Sequence, residues 1–226
     1  MDTGEGVMPI DTLRLYTYFR SSAAFRVRIA LNLKGLAYDS VPIHLVRDGG
    51  EQKKPSYRAV NPQGRVPALE VVVGGSTQVL TQSLAIIDWL DETFPEPPLL
   101  PADPLARARV RAAAQVIACD IHPLNNSGTL AYLRSVVGAP QEVVDGWYAH
   151  FVRDGFAALE RMIAPGPYAF GAQVTLADLC IVPQMVNAWR FKVPVDDFPR
   201  LAAVTEACLK LDAFARARPE AQPDAA

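Results

Sequence analysis

Hydrophobic and polar positions alternate over Leu13-Arg14-Leu15-Tyr16-Thr17-Tyr18, which predicts a strand. Phe19-Arg20-Ser21-Ser22 breaks the alternation as a turn. From Ala23 to Lys34 the stripe Phe25, Ile29, Leu33 predicts a helix that Gly35 ends, so Ser21 or Ser22 is its N-cap. Tyr38 to Ile43 predicts a short second strand containing Pro42, and Val46 to Arg58 is a polar stretch carrying Lys53, Lys54 and Arg58. The polar loop Asn61-Pro62-Gln63-Gly64-Arg65 gives way at Val66-Pro67 to the apolar run Ala68 to Val73, a third strand. A Gly74-Gly75-Ser76 turn, a strand from Gln78 to Leu80 and a helix from Leu84 to Phe94 follow.

That order of strand, helix, strand, polar crossover, hairpin and helix predicts an open α/β domain of thioredoxin-like type over residues 12–96. Five prolines in the ten residues from Pro95 to Pro104 exclude helix and central strand alike, and 97–104 is read as a linker. Beyond it strand patterns vanish. Leu105 to Cys119, Gln141 to Ile163 and Thr175 to Asn187 keep helical spacing, with Val144, Trp147, Phe151, Leu159 and Met162 along one face of the second. His122-Pro123 interrupts the first of these helices, and Leu130 to Val137 continues on a bend. Residues 105–226 therefore form an all-α domain, ending in a weakly ordered tail from Arg216. Thr175-Leu176-Ala177-Asp178 matches a capping box, which gives Asp178 a folding role rather than a catalytic one.

The chemistry concentrates in two places. Pro67 cannot donate to a sheet ladder, so it belongs at a strand start or edge, where a cis bond to Val66 would turn the Val66 main chain outward to pair with an extended peptide. Gln82-Ser83 open the next helix, whose unpaired amides form an anion site. Together they suggest capture of a small peptide by its backbone and its carboxylate. Composition narrows the rest. With 22 basic and 24 acidic residues mixed along the chain and a formal net charge of −2, nothing points to nucleic acid. No apolar run reaches the roughly 20 residues that span a bilayer, and Met1 to Asp11 lacks the features of a signal peptide and is expected to be a loose lead-in. Cys119, Cys180 and Cys208 are odd in number and far apart, which predicts reduced thiols in a cytoplasm and no structural metal.

Taken with Val66-Pro67 and Gln82-Ser83, this two-domain plan resembles the cytosolic glutathione transferases. Tyr18-Phe19-Arg20-Ser21-Ser22, the run Arg26 to Gly35, Asn61-Pro62-Gln63, Gln82 to Ile87, Asp120 to Asn126 and Arg190-Phe191-Lys192-Val193 resemble the zeta class. That class comprises the maleylacetoacetate isomerases and the bacterial maleylpyruvate isomerases, and the likeness runs from about Leu13 to Pro223. It implies glutathione as cofactor and a homodimer. It implies Ser21 as the donor to the glutathione thiolate with Ser22 beside it, and Gln63, Val66, Pro67, Gln82, Ser83, His122 and Asn125 as glutathione-binding residues. Arg20 and Arg190 are implied to hold an anionic substrate, a planar guanidinium taking a carboxylate bidentately.

The implied reaction is cis-trans isomerisation of a maleyl compound. A thiolate adds to the double bond, the resulting single bond rotates, and the thiol leaves with the bond trans. A free thiol titrates near ~8.5, so the protein must stabilise its anion, which a serine hydroxyl at a helix N-terminus can do. Two residues depart from the family pattern. Ala23 stands where many relatives have cysteine, which excludes a mixed disulfide there and disfavours reductive dehalogenation; Ser127-Gly128 replaces a basic residue frequent in bacterial relatives. Maleylacetoacetate and maleylpyruvate both remain substrates at this point, alongside a general transferase or haloacid dehalogenase and a non-catalytic binding protein.

Overall fold

A computed structural model describes residues 10–225, so the expected lead-in lies outside the described residues apart from Ile10 and Asp11, which begin the first strand. Two compact units are present, one formed by Met1–Pro97 with Ala213–Ala226 and the other by Pro98–Asp212.

In the first unit, β1 (Ile10–Thr17), α1 (Ser22–Leu33), β2 (Asp39–Pro42), α2 (Pro55–Val60), β3 (Ala68–Val73), β4 (Ser76–Thr81) and α3 (Ser83–Thr93) follow in order. The sheet order is β2-β1-β3-β4, with β1 parallel to β2 and antiparallel to β3, and β4 antiparallel to β3. This is the predicted thioredoxin-like α/β arrangement. Period-two alternation is visible in β1, where Leu13, Leu15 and Thr17 are buried. On its other face Arg14 lies opposite Glu70 and donates to its carboxylate at 2.6 Å, and Tyr16 Oη donates to the second Glu70 oxygen at 2.9 Å. Pro42 is tolerated because β2 is an edge strand. Every residue of α1 from Ser22 to Leu31 is buried, including Arg26 and Arg28. The polar stretch that showed no element in the sequence runs into α2, a six-residue helix that starts on a proline and buries only Tyr57.

The second unit is helical: α4 (Pro104–Gln115), a wider π-helical turn over Val116–Ile121, α5 (His122–Asn125), α6 (Ser127–Ser135), α7 (Gln141–Met162), α8 (Leu176–Arg190) and α9 (Pro199–Leu209). The last of these was not located in the sequence, since it too opens on proline. Gly155 of α7 is tied to the π-helical turn, because a β-carbon there would collide with the Ile121 side chain. The linker is not loose: Leu99 is buried and its carbonyl accepts from Leu176 N at 2.9 Å.

The C-terminal segment corrects the sequence reading. Expected as the end of the helical domain and as a weakly ordered tail, it forms α10 (Asp212–Ala217) and two short 3-10 turns, and Ala213–Ala226 groups with the first unit. Long-range hydrogen bonds order it. Asn32 Nδ2 donates to Ala213 O at 2.9 Å and Arg28 Nε to Ala217 O at 3.0 Å.

Candidate functional site

The turn from β1 into α1 presents the first group of predicted residues. Ser21 N donates to Tyr18 O at 2.9 Å, and Ser21 itself is extended, with φ −72 and ψ 115. Its Oγ accepts from Ala24 N at 3.2 Å, so Ser21 rather than Ser22 is the cap. A hydroxyl has one proton and two acceptor positions. Capping therefore leaves the Ser21 proton available to a further partner, beside the positive end of the α1 dipole. Ser21 is half-buried, whereas Ser22 is only 4% exposed, which makes Ser21 the more accessible of the pair. Arg20 is exposed and its guanidinium lies over the Phe19 ring, 4.8 Å from the centroid.

The loop before β3 is folded by Asn61, which is 1% exposed. Its Oδ1 accepts from Gln63 N at 3.1 Å, its main-chain carbonyl from Gly64 N at 2.9 Å, and its Nδ2 donates to Arg65 O at 2.7 Å. Tyr57 Oη donates to the same carbonyl at 2.7 Å, and burial pushes this phenol up to about 12. Gly64 is required here: its φ is +60, and a β-carbon would meet Gln52 O at 2.8 Å. With Arg65 O pinned, the chain enters β3 through Val66-Pro67, which is cis. Among the described residues neither main-chain group of Val66 has a hydrogen-bond partner, while Pro67 is buried at the strand start.

Gln82 and Ser83 open α3. Gln82 has φ +69 and ψ 117, a region costly by about 1–3 kcal/mol for a residue with a side chain and kept only where surrounding structure imposes it. Its Nε2 donates to Gln63 Oε1 at 2.9 Å, so two predicted ligand-binding glutamines meet on the surface of this unit. Ser83 is buried, and its Oγ accepts from Arg26 Nη1 at 3.2 Å. Arg26 is 1% exposed. Its guanidinium beside the first turn of α3 adds positive charge where helix amides already favour an anion. Sequence reasoning gave Arg26 no role. Its only local signal was a charged residue, like Arg28 two positions on, inside a largely apolar helix.

Three predicted residues belong to the helical unit. His122 begins α5 after the π-helical turn, and its Nε2 lies 3.4 Å from Asn126 Nδ2. Asn125 is buried, and its Nδ2 makes no hydrogen bond among the described residues. Trp147 Nε1 anchors this helix by donating to Leu124 O at 2.8 Å. Arg190 ends α8, exposed, with its guanidinium 4.8 Å from the Phe191 ring centroid; that ring in turn packs 4.3 Å from Tyr148. Asp178 behaves as the capping box required. Its carboxylate accepts from Thr175 N at 2.8 Å, Thr175 Oγ1 at 2.9 Å and Ala169 N at 2.7 Å, while burial pushes it up against the effect of those donors.

Cys119 is exposed, Cys180 and Cys208 are buried, and all are free thiols. Among the described residues no cluster of His, Cys, Asp or Glu could hold a metal ion, and no helix is long and apolar enough to cross a membrane.

Comparison with known proteins bears on what these groups serve. The family model of the glutathione S-transferase N-terminal domain matches residues 15–98, and that of the C-terminal domain residues 141–207. A maleylacetoacetate isomerase of Pseudomonas aeruginosa is 49% identical over 212 residues, covering 94% of this chain and 98% of the relative. A holo structure of a maleylpyruvate isomerase, described as a bacterial glutathione S-transferase of the zeta class, superposes with a TM-score of 0.89 at 46% identity, covering 94% of this chain and 100% of that one. The chain belongs to the zeta class of the glutathione S-transferase family. A maleylacetoacetate isomerase structure from Anaeromyxobacter dehalogenans, with glutathione bound in its active site, has a TM-score of 0.88 and 43% identity, covering 97% of this chain and 100% of that chain. In this zeta-class chain Ala23 follows the two serines, inside α1, so that position carries no thiol.

Proposed function

We propose that this zeta-class chain is a glutathione-dependent cis-trans isomerase that converts maleylacetoacetate to fumarylacetoacetate, with maleylpyruvate as the alternative substrate. The observation that carries the reading is Ser21, whose Oγ caps α1 by accepting from Ala24 N and retains a proton to donate at the positive end of that helix. Three further features fit glutathione. Val66 offers a main chain unpaired among the described residues, the exposed Gln63–Gln82 pair offers amide groups, and the α3 N-terminus backed by Arg26 and Ser83 suits a carboxylate.

When bound, glutathione supplies a thiolate that adds reversibly to the cis double bond and leaves unchanged once the bond has rotated. The chain's residues supply the rest. Ser21 donates to the sulfur and keeps it ionised. Val66 aligns the tripeptide by strand-like pairing, and Gln63, Gln82 and Ser83 hold its γ-glutamyl end. Arg20 and Arg190 take the carboxylate and keto oxygens of the substrate, each guanidinium held in place over a phenylalanine face. His122 and Asn125 complete the tripeptide site. The protein acts in the cytoplasm as a homodimer, without a metal.

Absorbance-monitored isomerisation of maleylacetoacetate and maleylpyruvate, each with and without glutathione, tests the reading. Glutathione-dependent turnover of one of them is expected and names the substrate. Conjugation of electrophiles with neither maleyl compound turned over would overturn it in favour of a general transferase.

A further inference from the structure

The segment that carries Asp224 meets the turn that carries Ser21. Asp224 Oδ2 accepts from Phe19 N at 3.0 Å. Phe19 is held at its other main-chain group as well, since Arg28 Nη2 donates to Phe19 O at 3.2 Å. The same guanidinium donates through Nη1 to Thr17 Oγ1 at 2.9 Å and Tyr18 O at 3.4 Å, and through Nε to Ala217 O at 3.0 Å. Arg28 is fully buried, so these bonds are made out of water, and the charge of Asp224 offsets part of its desolvation. Gln222 fixes the approach of the segment, with Nε2 donating to Arg216 O at 2.8 Å and Arg218 O at 2.9 Å. Asp224 Oδ1 is buried as well and has no hydrogen-bond partner among the described residues. A carboxylate oxygen left so is costly unless the position of the group matters.

We infer that the C-terminal segment is a clasp in which Asp224, with Arg28, fixes both main-chain groups of Phe19 and thereby positions Ser21 for its thiolate partner. Ser21 N is bonded to Tyr18 O, so a displacement of the Tyr18-Phe19 peptides moves Ser21 directly. Asp224 touches neither substrate nor glutathione in this scheme and is a positioning residue. The inference rests on the assignment of Ser21 as thiolate donor.

The test compares Asp224→Ala, Asp224→Asn, Ser21→Ala and the parent. Amide hydrogen exchange over the Thr17–Ser21 segment is read in the ligand-free protein, and the ultraviolet absorbance of thiolate is titrated in the glutathione complex. Asp224→Ala should accelerate exchange at Phe19 by about tenfold or more, the order expected from losing one charge-assisted bond, and should raise the thiol titration toward the free value. Asp224→Asn keeps an acceptor oxygen and should restore most of both signals. If Asp224→Ala lowers the unfolding midpoint yet leaves Phe19 exchange and the thiol titration at parental values, the segment is only a packing element and the inference is overturned. Where the alanine variant does not fold, Asp224→Glu displaces the carboxylate by one methylene and gives the same readouts. Ser21→Ala separates the two ideas. A titration unmoved by Ser21→Ala removes Ser21 as donor, while exchange in the ligand-free protein still decides whether Asp224 holds the turn.

Discussion

Replacing Ser21 can separate the helix cap that its hydroxyl makes from the thiolate donation proposed for it. In Ser21→Ala the Ala24 amide loses its acceptor, now 3.2 Å away, and the start of α1 is weakened. Losing such a cap to alanine costs about 0.5–2 kcal/mol, whereas glycine at the same position costs only about a few tenths. Both variants lack the proton offered to the thiolate. A hydrogen bond to a charged group contributes about 1.5–3 kcal/mol, and 1.36 kcal/mol corresponds to roughly one pKa unit. The bound thiol should therefore titrate about 1–2 units higher in both, with the free value near ~8.5 as the ceiling. At pH 7 a thiol at that ceiling is still about 3% ionised, so the loss of thiolate and of isomerisation rate is about 8- to 25-fold. Thiolate absorbance against pH gives the first quantity and urea unfolding the second. Ser21→Gly is expected to fold nearly as well as the parent and to lose thiolate as fully as Ser21→Ala. A glycine variant with the parental titration would show that the hydroxyl is a cap and nothing more, and would refute the reasoning.

Arg190→Lys should raise KM for the anionic substrate by about 10- to 150-fold, because an ammonium cannot reproduce the bidentate fork, while KM for glutathione stays at the parental value; steady-state kinetics with each substrate varied checks this. Asp178→Ala should lower stability by about 2–6 kcal/mol, since the Thr175 and Ala169 amides it satisfies are left buried without an acceptor, and should leave turnover unchanged below the unfolding transition. Equilibrium urea unfolding and rates on the same samples distinguish that from a catalytic role. The Tyr57 phenol is pushed by burial from 10.0 to about 12 in the folded chain. The folded value lies above the unfolded one, so its contribution is complete below about pH 10 and is lost as pH rises toward about 12. Alkaline unfolding monitored by tyrosinate absorbance should show this window, and Tyr57→Phe should remove it.

Much of the first unit was legible because its boundaries are set locally. The predicted limits of β3, Ala68 to Val73, coincide with the observed strand, since Val66-Pro67 and Gly74-Gly75 punctuate both ends. The start of α1 was legible for the same reason, a serine ahead of an apolar stripe. What could not be read depends on partners distant in sequence. Arg28 meets Ala217 across 189 positions, and nothing near Arg28 announces that it orders the C-terminus. Prolines at Pro219 and Pro223 made that segment look like a tail, although an ordered 3-10 turn can also start at proline. Arg26 is the same problem in the site itself: burial of its guanidinium against Ser83 is fixed by a contact 57 positions away.

The residues assigned to the site are also those at which the chain breaks its own local rules. Gln82 holds φ +69 although glycine would be easier there, Val66 leaves its main chain unpaired among the described residues beside a well-paired sheet, and Arg26 brings a charge into a largely apolar helix. Under the proposed function a bound ligand offsets part of these costs: an amide pairs with Val66, and a carboxylate sits at the α3 N-terminus. Departures of this kind are expected where function, rather than packing, selects the conformation. Ser21 is different because it obeys the rules. A helix cap and a thiolate donor need the same hydroxyl at the same place, so under the proposed function folding and chemistry make one demand on one residue. That coincidence explains why sequence pattern could place the group and could not say which of the two it serves.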